Sequence, residues 1–475
     1  MRLLSAFFFL LAAVQLSAQI NPYKYNIQKK VECTNGAVVS AHPLASKVGV
    51  EIMKKGGNAF DAAIATQLTL AVVYPGAGNI GGGGFMVAFT EKGKTLALDY
   101  REKAPSAASR DMYLDANGNA QTNLSQSGHL ASGVPGTVAG LFSTHKYAKL
   151  PFKVLIQPAI DIAEKGFAIT ESEARSLNAT MGSFVQYSTK SNAFIKYGGW
   201  KAGDTLIQKD LANTLKRIRD VGQKGFYEGE TAKLIVAEMK RGGGLITLAD
   251  LKNYKTAVRE AMQSNYKGYT IIGMPLVSSG GILIQQMMGM IETRNVAQYG
   301  FLSWQAVQLM VEIERRAFAD RAEFLGDKDL VKVPVKKLTS PEYLKERMAD
   351  YDMNKAGSSK ITNHGNINPE SEETTHFSVY DKWGNAVSIT TTLNGGYGCR
   401  TVVGGAGFLL NNEMDDFSIK PGVPNMYGAL GTEANAIAPN KRMLSSMTPT
   451  IVLKDGKPYL VIGTPGGTTI PTQVY

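Results

Sequence analysis

The sequence predicts an α+β protein, a layered domain with helices packed outside strands. Three observations lead there. Ala45–Lys55 places Val48, Ile52 and Met53 at helical spacing, and Ala59–Val73 follows as an apolar run long enough for a buried helix. Helical patterns then dominate from Pro135 to about Lys345. Beyond residue 374 the texture changes: His376–Tyr380 and Ala386–Leu393 alternate and are rich in Val, Ile, Thr and aromatic residues, as paired strands are.

The elements read in order as follows. Met1-Arg2 precedes a mostly apolar run, Leu3–Val14, and then the small residues Ser17 and Ala18. This is the layout of a signal peptide cleaved near Ala18, and the run is too short to span a bilayer comfortably. No later stretch is long and apolar enough for a span, so a mature protein exported to the periplasm or beyond is expected. Gly56-Gly57 stops the first helix. Pro75–Gly84 is a glycine-dense loop, and Phe85–Thr90 with Thr95–Tyr100 forms a hairpin around Lys92-Gly93-Lys94. The long helical region breaks at Gly198-Gly199, Gly242–Gly244 and Gly280-Gly281. Asn363–Glu373 is a polar, exposed loop, Asp381–Asn385 is a turn, and Ile451–Leu453 and Tyr459–Ile462 are further strands. No repeat of 20–50 residues occurs.

Composition excludes several classes. With 44% hydrophobic residues in 475, the chain supports a real core and is not disordered. Its net charge of +11 is densest over Lys328–Lys337, which lacks the interleaved aromatics of a nucleic-acid groove. A solvated basic surface is expected there, and no nucleic-acid partner. Two cysteines, Cys33 and Cys399, exclude a disulfide scaffold and leave open whether the two pair in an oxidising compartment. The five histidines are scattered and neither H-E-x-x-H nor C-x-x-C occurs, so neither a metal nor another cofactor is expected. Gly76-Ala-Gly78-Asn-Ile-Gly81 matches G-x-G-x-x-G, but a helix precedes it and a hairpin follows. A dinucleotide loop needs the reverse, so these glycines read as close backbone packing.

The chemistry concentrates at Glu373-Thr374-Thr375-His376, where a polar loop gives way to a strand. Cleavage before Thr374 makes its hydroxyl a nucleophile whose own α-amine, with a pKa near 8 in the unperturbed state, serves as base. The β-branch restricts χ1 and holds the hydroxyl in fewer orientations than a Ser would allow. Alone the tripeptide is also what an ordinary Thr-rich strand looks like.

The surrounding motifs decide. Asp99-Tyr-Arg101-Glu102 lies upstream. Thr390-Thr-Thr392-Leu-Asn394, Asn411-Asn-Glu413-Met-Asp415-Asp416-Phe417, Leu444-Ser445-Ser446-Met447 and Gly463-Thr-Pro-Gly466-Gly467 lie downstream. From about Gly36 to Tyr475 the chain resembles the gamma-glutamyltranspeptidase family of N-terminal-nucleophile hydrolases. The resemblance implies a four-layer αββα sandwich. It implies self-cleavage between Glu373 and Thr374, giving a large subunit (19–373) and a small one (374–475) that form one domain as a heterodimer. It further implies Thr374 as nucleophile, Thr392 as the hydroxyl orienting its amine, and Gly466 and Gly467 as an oxyanion hole, where one donor is worth roughly 3–4 kcal/mol. Arg101 with Ser445 and Ser446 would clamp the substrate α-carboxylate, and Asn394, Glu413 and Asp416 would hold its α-amine. Pro421–Arg442 would carry a lid gated by Tyr427. The implied donors are γ-glutamyl compounds such as glutathione, and the implied acceptors are water, amino acids or dipeptides. The family's small subunit continues past its Gly-Gly motif, so this chain, ending eight residues after Gly467, is expected to lack a C-terminal part. The segment Met274–Gly281 receives no functional weight, and Cys399 is expected to be buried as a small hydrophobe.

Two alternatives stand beside this reading. One is a related amidase on the same scaffold, a β-lactam acylase or a poly-γ-glutamate depolymerase. The other is a non-catalytic protein that keeps the amino-acid pocket.

Overall fold

Asp381 shows how the local sequence builds the layers. Its carboxylate accepts from the backbone N–H of Trp383 and Asn385 and from the Asn385 amide, closing the Asp381–Asn385 turn. The same carboxylate accepts from Ala59 N–H at 2.8 Å, the first residue of a buried helix. One acidic side chain thus joins a strand turn to the positive end of the helix packed on it. Asn58 and Asp61 form a capping box at that helix start, and Asp61 also accepts from Lys149 and Leu150 N–H.

A computed structural model describes residues 30–359, 362 and 374–475. The expected signal peptide and the whole Asn363–Glu373 loop lie outside them. The strands in chain order are β1 (Gly36–Val39), β2 (Gly83–Phe89), β3 (Thr95–Asp99), β4 (Phe167–Ala168), β5 (Thr205–Leu206), β6 (Ala257–Arg259), β7 (Met262–Tyr266), β8 (Tyr269–Gly273), β9 (Thr375–Asp381), β10 (Ala386–Thr392), β11 (Thr450–Lys454) and β12 (Lys457–Ile462). β4 and β5 form a small separate ribbon. The other ten make two antiparallel sheets, ordered β1-β9-β10-β2-β3-β6 and β12-β11-β8-β7. The main helices are α1 (Pro43–Lys54), α2 (Ala59–Val73), α3 (Phe152–Lys165), α4 (Lys209–Val221), α5 (Gly280–Glu292) and α6 (Trp304–Phe324).

The side-chain period of two sorts these strands into layers. Met86, Ala88, Phe377, Val379, Val387 and Ile389 face α2, α3 and α4 in the largest core. Phe85, Val87 and Phe89, on the opposite face of β2, meet Ile272, Ile451 and Leu453 of the second sheet. Ile271, on the far side of that sheet, packs with Leu283 and Met287 of α5 and Leu309 and Ile313 of α6. The result is the αββα sandwich expected from the resemblance. α2 is buried along its whole length, as its apolar run requires.

The expected hairpin, the terminal strands and the first two helices form within one or two residues of the boundaries read from sequence. The region expected to be helical from Pro135 to Lys345 does not remain so, because β6, β7 and β8 interrupt it. β7 reads Met-Gln-Ser-Asn-Tyr and alternates only between half-buried and exposed positions, so its apolar period is weak. Gly280-Gly281 opens α5 instead of breaking a helix. Cβ atoms there would lie 2.5 Å from Thr448 Oγ1 and 2.4 Å from the Met274 carbonyl, so the pair permits close packing. The Gly76–Gly84 loop does the same: a Cβ on Gly82 would lie 2.1 Å from the Thr392 carbonyl oxygen. Lys328, Lys332, Lys336 and Lys337 are exposed, as a solvated basic surface requires. Cys33 is exposed and Cys399 buried, and neither forms a disulfide.

Asp381→Ala would leave four donors without their acceptor, three of them backbone N–H groups at a turn and a helix start. The variant is expected to lose about 3 kcal/mol of stability, since each abandoned buried donor costs roughly 1–3 kcal/mol. Denaturant titration checks this, and a loss below about 1 kcal/mol would contradict the assigned role.

Candidate active site

The position of Thr374 follows from strand register. β9 and β10 pair with His376 opposite Thr390 and Thr375 opposite Thr391. One further step along the ladder sets Thr374 opposite Thr392. Because side chains alternate, Thr374 shares with His376 and Ser378 the face turned toward the second sheet. Polar groups hold the sheets together there: Ser378 donates to the Val461 carbonyl and Ser388 to the Ile462 carbonyl. His376 is not a free base. Its two ring nitrogens lie 3.0 Å from the hydroxyls of Thr390 and Ser378, and burial pushes its pKa down to about 3.

Thr374 is 7% exposed and stands on the wall of a small pocket. Thr392, Asn394, Asp416, Tyr427 and Gly467 share that wall, as do Arg101, Ser445 and Ser446. Nine of the residues expected from sequence therefore converge, though they come from segments more than 350 residues apart. Gly466 and Glu413 stand outside the wall. Glu413 instead lies behind Arg101, with a carboxylate oxygen 2.5 Å from Nη1.

The electrostatics centre on Arg101, which is 1% exposed. Its guanidinium contacts Glu413 and Asp416, and Glu102 lies 3.8 Å away. Burial pushes Glu102 up to about 8 and raises Glu413 well above the usual carboxylate range, while Arg101 pulls both back. Glu102 and Glu413 therefore do not both ionise at neutral pH beside one buried guanidinium.

The opposite side of the pocket is braced by a segment to which the sequence assigned no weight. Ser278 of Met274–Gly281 donates to the Met447 carbonyl at 2.5 Å, and Ser279 donates through its N–H and its hydroxyl to the Ser445 carbonyl, both at 2.8 Å. Ser445 and Ser446 are thereby held rigidly. Arg321 of α6 also reaches this wall and is absent from the sequence expectations. Its helix carries Glu312, Glu314, Arg315, Arg316, Asp320, Arg321 and Glu323, so no local signal marks which charge turns inward.

Tyr427 lies on the pocket wall. Its ring packs against Gly467, where a Cβ would lie 2.8 Å from Cδ1, and its hydroxyl donates to the Asn394 carbonyl at 2.5 Å. Gly466 and Gly467 have φ of +144° and +49°, conformations that L side chains rarely adopt. Among the described residues their N–H groups donate to no protein acceptor. The loop carrying Tyr427 is tied down at its base, where Asp416 accepts from the Asn425 amide and Asp415 from Met426 N–H. Asp415 also accepts from the Ser125 hydroxyl, and burial pushes its pKa up to about 6. Cys399 is fully buried, and burial raises its thiol pKa, so it is a poor nucleophile.

Comparison with known proteins agrees with this geometry. The model of the family described as gamma-glutamyltranspeptidase matches residues 45–475. The chain is 48% identical over 462 residues to the glutathione hydrolase proenzyme of Escherichia coli K12, covering 95% of this chain and 80% of that protein. Among solved structures, the gamma-glutamyltranspeptidase of Helicobacter pylori superposes with a TM-score of 0.68 at 41% identity, covering 70% of this chain and 96% of the other. A cephalosporin acylase from Bacillus halodurans superposes with a TM-score of 0.81 at 26% identity, covering 96% and 82%.

The state of Glu102 has a measurable consequence. A carboxyl whose folded-state pKa is raised contributes stability fully below its unfolded value, and loses it as pH rises through the folded value. For Glu102 that window runs from the ordinary carboxylate range up to about 8. Glu102→Gln, neutral throughout, is expected to gain thermal stability relative to the parent protein between pH 6 and pH 9. A difference in Tm that does not change with pH over that interval would refute the assignment.

Proposed function

From the gamma-glutamyltranspeptidase family, to which this chain belongs over residues 45–475, we infer a self-cleaving enzyme that transfers or hydrolyses γ-glutamyl groups, with glutathione as a donor. The observation that carries the reading is Thr374, placed by strand register on the wall of a pocket whose other groups suit an amino-acid end.

The chemistry begins with the precursor. The Thr374 hydroxyl attacks the carbonyl carbon of Glu373, and the peptide bond becomes an ester while the Thr374 α-amine is released. Water resolves the ester, leaving a large subunit (19–373) and a small one (374–475) as a heterodimer. The freed amine, close to its unperturbed pKa, then takes the hydroxyl proton as Thr374 attacks the γ-carbonyl of the donor. Thr392, opposite Thr374, orients the amine. The negative charge that develops on the carbonyl oxygen is met by the N–H groups of Gly466 and Gly467. Collapse breaks the C–N bond, and the leaving amine takes the proton back from the α-ammonium. Water or the amine of an amino acid or dipeptide repeats the attack on the γ-glutamyl ester.

Donor recognition is assigned to the two sides of the pocket. Arg101, Ser445 and Ser446 take the α-carboxylate. Asn394 and Asp416 take the α-ammonium, with Glu413 setting the charge balance behind Arg101. This pairing of opposite charges favours a free α-amino-acid end over the apolar side chain that an acylase receives. Tyr427 covers the bound donor. Among the described residues no helix is long and apolar enough to cross a membrane, and Met1–Ala18 suits export, so we place the enzyme in the periplasm or outside the cell.

Thr374→Ala is expected to remain a single chain and to release γ-glutamyl groups more than about 1,000-fold more slowly than the parent. The parent should yield two chains, the smaller beginning Thr-Thr-His. Thr374→Ser should process and turn over, more slowly, because its hydroxyl has more χ1 freedom. Electrophoresis, N-terminal sequencing and hydrolysis of a γ-glutamyl anilide test all three. A Thr374→Ala protein that still cleaves itself or releases anilide would rule out this nucleophile.

A further inference from the structure

The pocket wall carries two guanidinium groups, and they are held differently. Arg101 has Glu413 and Asp416 against it. Arg321 is 6% exposed and, among the described residues, forms no ion pair with a carboxylate. Its Nε donates to Ser279 Oγ at 3.2 Å and its Nη2 to Ser446 Oγ at 3.0 Å. Burial pushes its pKa down to about 10, still well above neutrality, while the charge of Asp416 pulls it up and that of Arg101 opposes this. A buried cation whose only close partners are neutral hydroxyls is expensive to hold. An anionic ligand would remove that cost.

The hydroxyl geometry points the same way. Ser279 is saturated in its orientation: it accepts from Arg321 and donates to the Ser445 carbonyl. Ser446 accepts from Arg321, so its own O–H must point elsewhere, and among the described residues it donates to no protein acceptor. Ser446 lies on the pocket wall, which leaves its proton for the occupant. Arg321 therefore turns Ser446 from an adaptable hydroxyl into a directed donor.

We infer that Arg321 is a positioning and specificity residue of the donor site: it aims the Ser446 hydroxyl at the donor's α-carboxylate and supplies the positive charge that Arg101, occupied by Glu413 and Asp416, shares out. This rests on the γ-glutamyl reading of the pocket. It assigns to α6 a part in substrate choice that neither the reaction chemistry nor the sequence motifs require. Because the carboxylate is remote from the γ-carbonyl, the effect falls on binding and discrimination, with the bond-breaking step left largely alone.

The test compares two anilides in the full chain: γ-glutamyl p-nitroanilide, and 4-aminobutyryl p-nitroanilide, which keeps the amine and lacks the α-carboxylate. Arg321→Gln is expected to raise KM for the γ-glutamyl compound at least about tenfold while kcat changes less than about threefold. Its kcat/KM for the 4-aminobutyryl compound should stay within about twofold of the parent, so discrimination between the two falls about tenfold or more. Arg321→Lys, which keeps the charge without the planar fork, should lie between them. Equal losses on both anilides would show a merely structural role and overturn the inference, as would unchanged discrimination. Should Arg321→Gln fail to fold or process, Arg321→Lys decides alone: intact discrimination in that variant overturns the inference. A parent protein that cannot distinguish the two anilides, or turns over neither, would instead overturn the γ-glutamyl reading itself.

Discussion

Thr375 pairs with Thr391, and from that single register the arrangement of the pocket follows. A slip of one residue would turn Thr374 toward the helices and bring Phe377 and Val379 into the polar space between the sheets. Burial forbids the slip, because Phe377, Val379, Val387 and Ile389 must all face α2 and its neighbours. Asp381 pins the turn at the far end of the same hairpin to the start of α2. The glycine loop locks the near end, where Gly82 allows the backbone to pass against the Thr392 carbonyl and Asn79 donates to it at 2.9 Å. The hydrophobic pattern therefore sets where Thr374 points, and two polar anchors hold it there.

Charge is the second constraint. Arg101 is nearly inaccessible and surrounded by more carboxylates than it can neutralise, so part of the cluster stays protonated. Such a cluster is a poor source of stability compared with an apolar core of equal volume. What it offers is preorganisation: the guanidinium and the acids are already desolvated and oriented, as the proposed recognition of a zwitterionic amino-acid end requires. The Tyr427 loop is built on the same acids, since Asp415 and Asp416 anchor its base. The position of Tyr427 and the charge cluster around Arg101 are therefore mechanically connected.

Much of this was legible from residue order. Strands β9 and β10, helix α2 and the glycine loop announce themselves through period, apolar run length and turn residues, all of which depend on near neighbours. Thr374 is legible because its proposed chemistry requires a particular residue type at a loop-to-strand boundary. β6 to β8 escape sequence reading because β6 is only three residues long, β7 alternates shallowly, and β8 pairs with β11 about 180 residues onward. Met274–Gly281 carries no functional weight as a sequence, and the work of its serines on Ser445 and Met447 is visible only once the two segments lie side by side.

By itself, the sequence determined the layered α+β class, the boundaries of the hairpin that carries Thr374, and the family whose motifs lie along the chain. Those rest on local periodicity and on residue chemistry, and both survive in one dimension. Tertiary structure alone decided which charges meet. It put Glu413 behind Arg101 and off the pocket wall, and it turned Arg321, one of several charges on α6, inward to Ser446. Electrostatic roles depend on burial and on distances of a few ångströms between segments far apart in the chain, and no spacing rule along one strand or helix encodes them.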